Sequence, residues 1–134
     1  MRILLVEDEV LIALEQRLYL EAVGHEVFGP ATTPAEAVEL AAASPPDLAL
    51  VDVHLARHTS GIDAAQALAK RGVACLYVTS FGEELQRGGA RAAGLGCLAK
   101  PFSESALLAA VDIAQAILSG EPPRNVPQTM ELFI

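Results

Sequence analysis

The feature that most constrains this chain is the run Leu48-Ala49-Leu50-Val51, which contains no polar residue and stops on a carboxylate, Asp52. The turn signal Pro45-Pro46-Asp47 fronts it. A short apolar run without alternation suits a strand buried on both faces, and such strands belong to parallel sheets covered by helices. In a sheet of that kind the wet place is the crevice beyond the carboxyl ends of the strands. A charged residue at that point faces a site. Taken alone, Asp52 is equally well explained as an ordinary strand-end or helix-capping residue; the other strands decide.

The same arrangement recurs three times. Ile3-Leu4-Leu5-Val6 stops on Glu7-Asp8-Glu9, Ala74-Cys75-Leu76-Tyr77-Val78 on Thr79-Ser80, and Gly96-Cys97-Leu98-Ala99 on Lys100-Pro101. His25 to Gly29 reads as a more polar strand towards a sheet edge. Leu11, Leu14, Leu18 and Ala22 at helical spacing predict a helix over residues 10–23, stopped by Gly24. Thr33-Pro34-Ala35-Glu36 starts a second helix, with proline in first position and Glu36 placed for a capping box. Ile62 to Arg71 is the third, closed by Gly72. Glu83 to Ala93 is a fourth, weakened by Gly88-Gly89 at about 1 kcal/mol per glycine relative to alanine. Ser103 caps the fifth, with Leu107, Leu108, Val111, Ala114 and Leu118 expected to face inward. This alternation predicts one α/β domain over residues 1–120, with helices on both faces of a parallel sheet. Residues 121–134 hold three prolines and no period; a tail is expected there, with no output domain.

Charge and length narrow the function classes. The 134 residues suffice for one domain with a sizeable core. A formal charge of −8 argues against nucleic acid or an anionic membrane as partner and suits a cation-binding cluster. No apolar run approaches the ~20 residues of a spanning helix, and acids interrupt the N-terminus before a signal peptide can form. A cytoplasmic protein is expected. Cys75 and Cys97 lie in apolar runs and read as small buried hydrophobes rather than a disulfide or a metal site. His54 and His58 are four apart on a loop, so no imidazole metal site is expected.

If the sheet is parallel, Glu7-Asp8, Asp52, Thr79 and Lys100 meet at one edge. Each has an ordinary explanation, such as capping the next helix; the set does not. Carboxylates about 4 Å apart repel by several kcal/mol at an effective dielectric near 20. They must protonate or share a cation, and hard oxygen ligands that leave room for water suit Mg²⁺. A cation and a lysine beside one carboxylate form a receptacle for a phosphoryl group, with the Thr79 hydroxyl as a further donor. An ionised aspartate is a competent nucleophile for making an acyl phosphate.

Leu5-Val6-Glu7-Asp8-Glu9, Pro46-Asp47-Leu48-Ala49-Leu50-Val51-Asp52, Val78-Thr79-Ser80 and Lys100-Pro101-Phe102, in that order, resemble the receiver domains of two-component response regulators over residues 2–119. The resemblance implies a flavodoxin-like, doubly wound, five-stranded parallel sheet of order 2-1-3-4-5 with five helices. It implies phosphoryl transfer onto Asp52 from the phosphohistidine of a sensor histidine kinase or phosphotransfer protein. Mg²⁺ would be held by Asp8, Asp52 and the backbone carbonyl of His54, with Glu7 acting through the metal's water shell. Thr79 and Lys100 would contact the phosphoryl oxygens, and the Lys100–Pro101 peptide would be cis. Such a protein is not an enzyme beyond catalysing its own phosphorylation and dephosphorylation. With no output region expected, it would signal to a downstream protein target.

Several positions depart from the family pattern. The first acid is Glu7 rather than Asp, and the loop after Leu55 lacks the usual proline and is one residue longer before Ser60-Gly61. Cys97 stands where the family carries an aromatic switch residue. Tyr77-Val78-Thr79-Ser80-Phe81-Gly82 is similar to a receiver subgroup with aromatics flanking the strand-4 threonine, which raises Phe81 as an alternative signalling residue. The glycine-rich segment 80–96 is expected to open easily and to become ordered with the phosphoryl group.

Three alternatives fit the sequence less well. An aspartyl-phosphate phosphatase of the haloacid dehalogenase type uses similar groups, but its nucleophile opens an Asp-x-Asp motif on the first strand and its metal acids come last. Here Asp52-Val53-His54 lacks the second Asp and the acids come first. A degenerate receiver acting only as a binding module would not need the intact acid, Asp, Thr and Lys set. A flavin binder would need a phosphate-cradling loop where Glu7-Asp8-Glu9 would repel phosphate.

Overall fold

The computed structural model describes residues 1–80, 82–86 and 89–133. The strands are β1 (Arg2–Val6), β2 (Glu26–Ala31), β3 (Leu48–Val51), β4 (Ala74–Thr79), β5 (Gly96–Ala99) and β6 (Met130–Leu132). The helices are α1 (Val10–Ala22), α2 (Pro34–Ala43), α3 (Gly61–Lys70), α4 (Ala90–Ala93) and α5 (Glu104–Leu118). They form one sheet of order β2-β1-β3-β4-β5-β6. The first five strands run parallel and β6 is antiparallel to β5. The flavodoxin-like arrangement is as expected, with a sixth strand added at one edge.

The unbroken apolar runs follow from a sheet covered on both faces. Successive strand residues point to opposite sides. Leu4, Val6, Ala49, Val51, Cys75 and Tyr77 pack with Ala37 and Ala41 of α2 and Ala64, Ala65 and Leu68 of α3. Ile3, Leu5, Leu48, Leu50, Leu76 and Val78 pack with Ala13 and Leu20 of α1 and Leu107, Val111 and Ala114 of α5. Each fully buried leucine or valine contributes about 1.5–3 kcal/mol of transfer free energy. Thr33, Ser60 and Ser103 cap α2, α3 and α5, their hydroxyls accepting from the N–H groups of Glu36, Ile62 and Ala106. The Glu36 carboxylate turns to Thr32 rather than to the cap residue, so the capping box is displaced by one position.

Three regions differ from the sequence reading. Leu11, Leu14 and Leu18, whose spacing predicts α1, are 78%, 48% and 59% exposed. The inward face of α1 is Ala13, Gln16 and Leu20. Leu118, expected inward, is likewise exposed. The helix expected over 83–93 is two pieces, a 3-10 turn at Gly82–Gln86 and the four-residue α4, with Gly89 at the α4 N-cap. Phe81 and Gly88 lie outside the described residues. Finally, part of the expected tail returns to the sheet. Met130–Leu132 pairs with Gly96–Leu98, because its apolar residues find a half-covered strand to pack against.

Candidate functional site

The acids are placed by the backbone. Val6 and Val51 are direct partners in the β1–β3 ladder, so Glu7 and Asp52 leave the sheet side by side. The ladder continues past both strands: the Asp52 N–H donates to the Val6 carbonyl at 2.9 Å, and the Glu7 N–H to the Ala31 carbonyl at 2.8 Å. Carboxylate oxygens of Glu7, Asp8 and Asp52 all lie within 4.8 Å of one another. From the loop after β5, the Lys100 ammonium reaches Glu7 Oε1 at 2.6 Å, Asp52 Oδ2 at 3.2 Å and Glu9 Oε2 at 3.2 Å. The Lys100–Pro101 bond is cis, as expected. The second Asp52 oxygen, Oδ1, accepts from the Val53 N–H at 2.8 Å.

The loop after β3 is fitted to this cluster. Arg57 and His58 both have positive φ, 58° and 57°, a conformation uncommon for residues other than glycine. These two residues turn the chain between Leu55 and Ser60. The Thr59 hydroxyl donates to the Ala56 carbonyl at 2.6 Å and the Leu55 N–H to the Thr59 carbonyl at 3.0 Å. A Cβ on Gly61 would lie 1.6 Å from the Asp52 carbonyl oxygen, so only glycine lets α3 begin against the Asp52 backbone. The His54 imidazole is exposed, with Nε2 2.7 Å from Glu84 Oε1. That leaves the backbone carbonyl as its expected share in a metal set.

Thr79, the last residue of β4, is buried, and its carbonyl accepts from the Lys100 N–H at 3.1 Å. Asp8, Glu9, Asp52, His54, Ser80 and Lys100 line an open cleft of about 380 Å³. Thr79 lines an adjoining hollow of about 270 Å³ that shares Ser80 and Lys100 with the cleft. Glu7, Asp8, Asp52 and Lys100 are therefore brought together, and Thr79 stands beside Lys100. Sequence reasoning missed Glu9 as a Lys100 partner and Glu84 as a His54 partner. Glu9 was legible as the third of three consecutive acids; Glu84 had no signal beyond its charge.

Four carboxylates face one ammonium, so the cluster carries net negative charge. Burial, with the negative charge of Asp52 beside it, pushes the Glu7 carboxyl up to about 7 against the opposing hydrogen bond from Lys100. Burial pulls the Lys100 ammonium down, but the Glu7 hydrogen bond and the charges of Glu7 and Asp52 more than offset this, and it stays protonated. Hard oxygens at these separations with surplus negative charge fit a divalent cation. Burial also pushes the Cys75 thiol up to about 12 and the Cys97 thiol up to about 11, so both are inert core residues as expected. Cys97 lies opposite Tyr77 in the β4–β5 ladder. The Tyr77 hydroxyl donates to the Ala90 carbonyl at 2.9 Å, and its ring lies 6.2 Å from that of Phe133. Aromatic bulk beside Cys97 thus comes from β4 and from the residue after β6.

No helix among the described residues is long and apolar enough to cross a membrane. A family profile, the response regulator receiver domain, matches residues 3–112. The chain is 41% identical over 115 residues to the transcriptional regulatory protein PdtaR of Mycobacterium tuberculosis, covering 84% of this chain and 56% of that protein. It is 38% identical over 125 residues to the phyllosphere-induced regulator PhyR of Methylorubrum extorquens, covering 92% and 46%. The chain spans about half the length of these curated relatives. The solution structure of the PhyR receiver domain from Erythrobacter litoralis superposes with a TM-score of 0.76 at 32% identity, covering 93% of this chain and 95% of that one.

Proposed function

The chain belongs to the response regulator receiver family, and from that membership we propose that it accepts a phosphoryl group on Asp52 from a partner phosphohistidine and passes the signal on by protein–protein contact. The observation that carries this reading is the Lys100 ammonium 3.2 Å from Asp52 Oδ2, beside the acids of β1. Asp52 Oδ1 is held by the Val53 N–H, which leaves Oδ2 as the attacking oxygen. As the O–P bond forms the P–N bond breaks, and the histidine nitrogen leaves with the bonding pair. Lys100 swings from Asp52 to a phosphoryl oxygen, and the Thr79 hydroxyl donates to another. Glu7, Asp8, Asp52 and the His54 carbonyl would hold Mg²⁺, which supplies positive charge to the phosphoryl oxygens. Water reverses the modification by cleaving the acyl phosphate, and no other turnover is proposed. The upstream partner is a sensor histidine kinase or phosphotransfer protein and the downstream partner a protein. The formal charge of −8 favours neither nucleic acid nor membrane, and a cytoplasmic setting fits.

Incubation with acetyl phosphate and Mg²⁺ is expected to add one hydroxylamine-labile phosphoryl group, read by intact mass, and Asp52→Asn to abolish it. Label persisting in that variant would overturn the assignment. Turnover of a generic phosphomonoester would instead favour the phosphatase reading.

A further inference from the structure

His54 belongs to the acidic cleft through its backbone, whose carbonyl is its expected share in a metal set. That backbone is fixed without the side chain. His54 forms a bridge with Ser60, and the Gly61 N–H donates to the Val53 carbonyl at 2.6 Å. The residue lines the cleft together with Asp8, Glu9 and Asp52. Its imidazole is held at the rim: Nε2 donates to Glu84 Oε1 at 2.7 Å, across 30 residues of sequence. The two side chains are 52% and 40% exposed, and an ion pair so open to water adds little to stability. What the pair fixes is the direction of the ring.

The alternative direction is inward. Glu7, Asp8, Glu9 and Asp52 outnumber the Lys100 ammonium, so a protonated imidazole is drawn towards them, and a neutral one is a metal ligand in its own right. Among the described residues, Glu7, Asp8 and Asp52 are the one group of acids, histidines or cysteines placed to share a cation. His54 stands outside that group although it lines the same cleft. The position of the ring decides the chemistry of the site, because carboxylate and carbonyl oxygens suit Mg²⁺ whereas imidazole suits Ni²⁺, Cu²⁺ and Zn²⁺. Glu84 is well mounted to hold the ring away. It lies in the 3-10 turn Gly82–Gln86, whose Leu85 is buried in the core, and this turn follows Ser80 on the cleft wall.

We propose that Glu84 is a positioning residue that sets the cation specificity of the cleft: it holds the His54 imidazole off the acids of β1 and β3 and keeps the site all-oxygen. This assignment rests on the reading of those acids as a Mg²⁺ site. The tie is an equilibrium between a ring paired with Glu84 and a ring turned to the acids. A cation that takes nitrogen must draw the ring off Glu84, so its affinity falls by the fraction of the time that the ring is tied. Mg²⁺, served by oxygens alone, does not meet this competition. Glu84 thus discriminates between cations without touching one.

The test is calorimetric titration of the full chain with Ni²⁺ and, separately, with Mg²⁺. Glu84→Ala removes an exposed side chain and leaves the buried Leu85 to hold the turn. It should bind Ni²⁺ about two- to fivefold more tightly, the worth of an exposed ion pair, with Mg²⁺ affinity no higher than before. Glu84→Gln keeps an acceptor for the Nε2 proton and should stay near the unaltered chain. Adding His54→Ala, or Asp8→Ala, to Glu84→Ala should remove the gain. Unchanged Ni²⁺ affinity in Glu84→Ala would overturn the proposal, as would a gain that survives either addition or one matched by Mg²⁺. An unaltered chain that binds no Mg²⁺ would instead overturn the Mg²⁺ reading, and the Ni²⁺ series would still decide the role of Glu84.

Discussion

The β1–β3 half of the sheet and the β4–β6 half begin from similar apolar runs, yet their surroundings hold them to different degrees. In the first half, helices of 13, 10 and 10 residues flank the strands, and backbone bonds continue past the strand ends into Glu7 and Asp52. In the second, the 15-residue α5 packs on Leu76, Val78 and Leu98, but a 3-10 turn and a four-residue helix join β4 to β5, and a three-residue strand closes the edge. The acids need fixed positions, and they sit on the firmly held half. Elements that respond to a ligand must open at low cost, and short, glycine-rich connections of few contacts supply them. Lys100 joins the two halves, reaching from the β5 side into the acids of β1 and β3.

Substituting one glycine in each half gives the largest contrast. Gly61→Ala drives a Cβ into the Asp52 carbonyl and is expected to cost about 3 kcal/mol or more in urea unfolding, whereas Gly82→Ala meets no atom within 4 Å and should stay within about 0.5 kcal/mol. Similar losses at both positions would erase the distinction. Mg²⁺ should stabilise the firm half by relieving carboxylate repulsion, by about 2.7 kcal/mol at a hundredfold excess over its Kd. Asp8→Ala should remove the resulting rise in Tm, and an unchanged rise would place the cation elsewhere.

A pH series sharpens the electrostatic side. The Glu7 carboxyl lies near 7 in the folded protein against an ordinary 4.5, so the native state binds its proton more tightly. The stability that this carboxyl contributes is full below about pH 4.5 and is lost as pH rises through about 7. Glu7→Gln should flatten that fall in Mg²⁺-free buffer, a difference of about 1–3 kcal/mol at pH 8. A smaller effect is expected across the sheet. Tyr77→Phe leaves the Ala90 carbonyl without its donor and should destabilise by about 1–2 kcal/mol in urea unfolding.

Legibility followed the same division. The parallel strands and the meeting of Glu7, Asp8, Asp52 and Lys100 could be read because an unbroken apolar run ending on a charge has few explanations. The inward face of α1 could not, since Leu11, Leu14 and Leu18 carry the stronger apolar period while Ala13, Gln16 and Leu20 make the contact. Propensity reports a helix, whereas which face turns inward depends on how closely its neighbours approach. Met130-Glu131-Leu132-Phe133 is too short to announce a strand beside three prolines, and its pairing is decided by the β5 edge. Gly96, a glycine inside a strand, was the one legible sign that another backbone comes near.

A phosphoryl group on Asp52 is expected to be received by the firm half and felt by the other. Hydrogen exchange with and without beryllofluoride and Mg²⁺, as a phosphoryl mimic, reads this out. Added protection is expected from the 3-10 turn through β5, where Thr79 and Lys100 are drawn to the mimic, and little change in β1 and β3, already closed by their ladders. Equal protection of the β4–β5 segment in the two states, or a change confined to the Ala56–Ser60 loop, would contradict it.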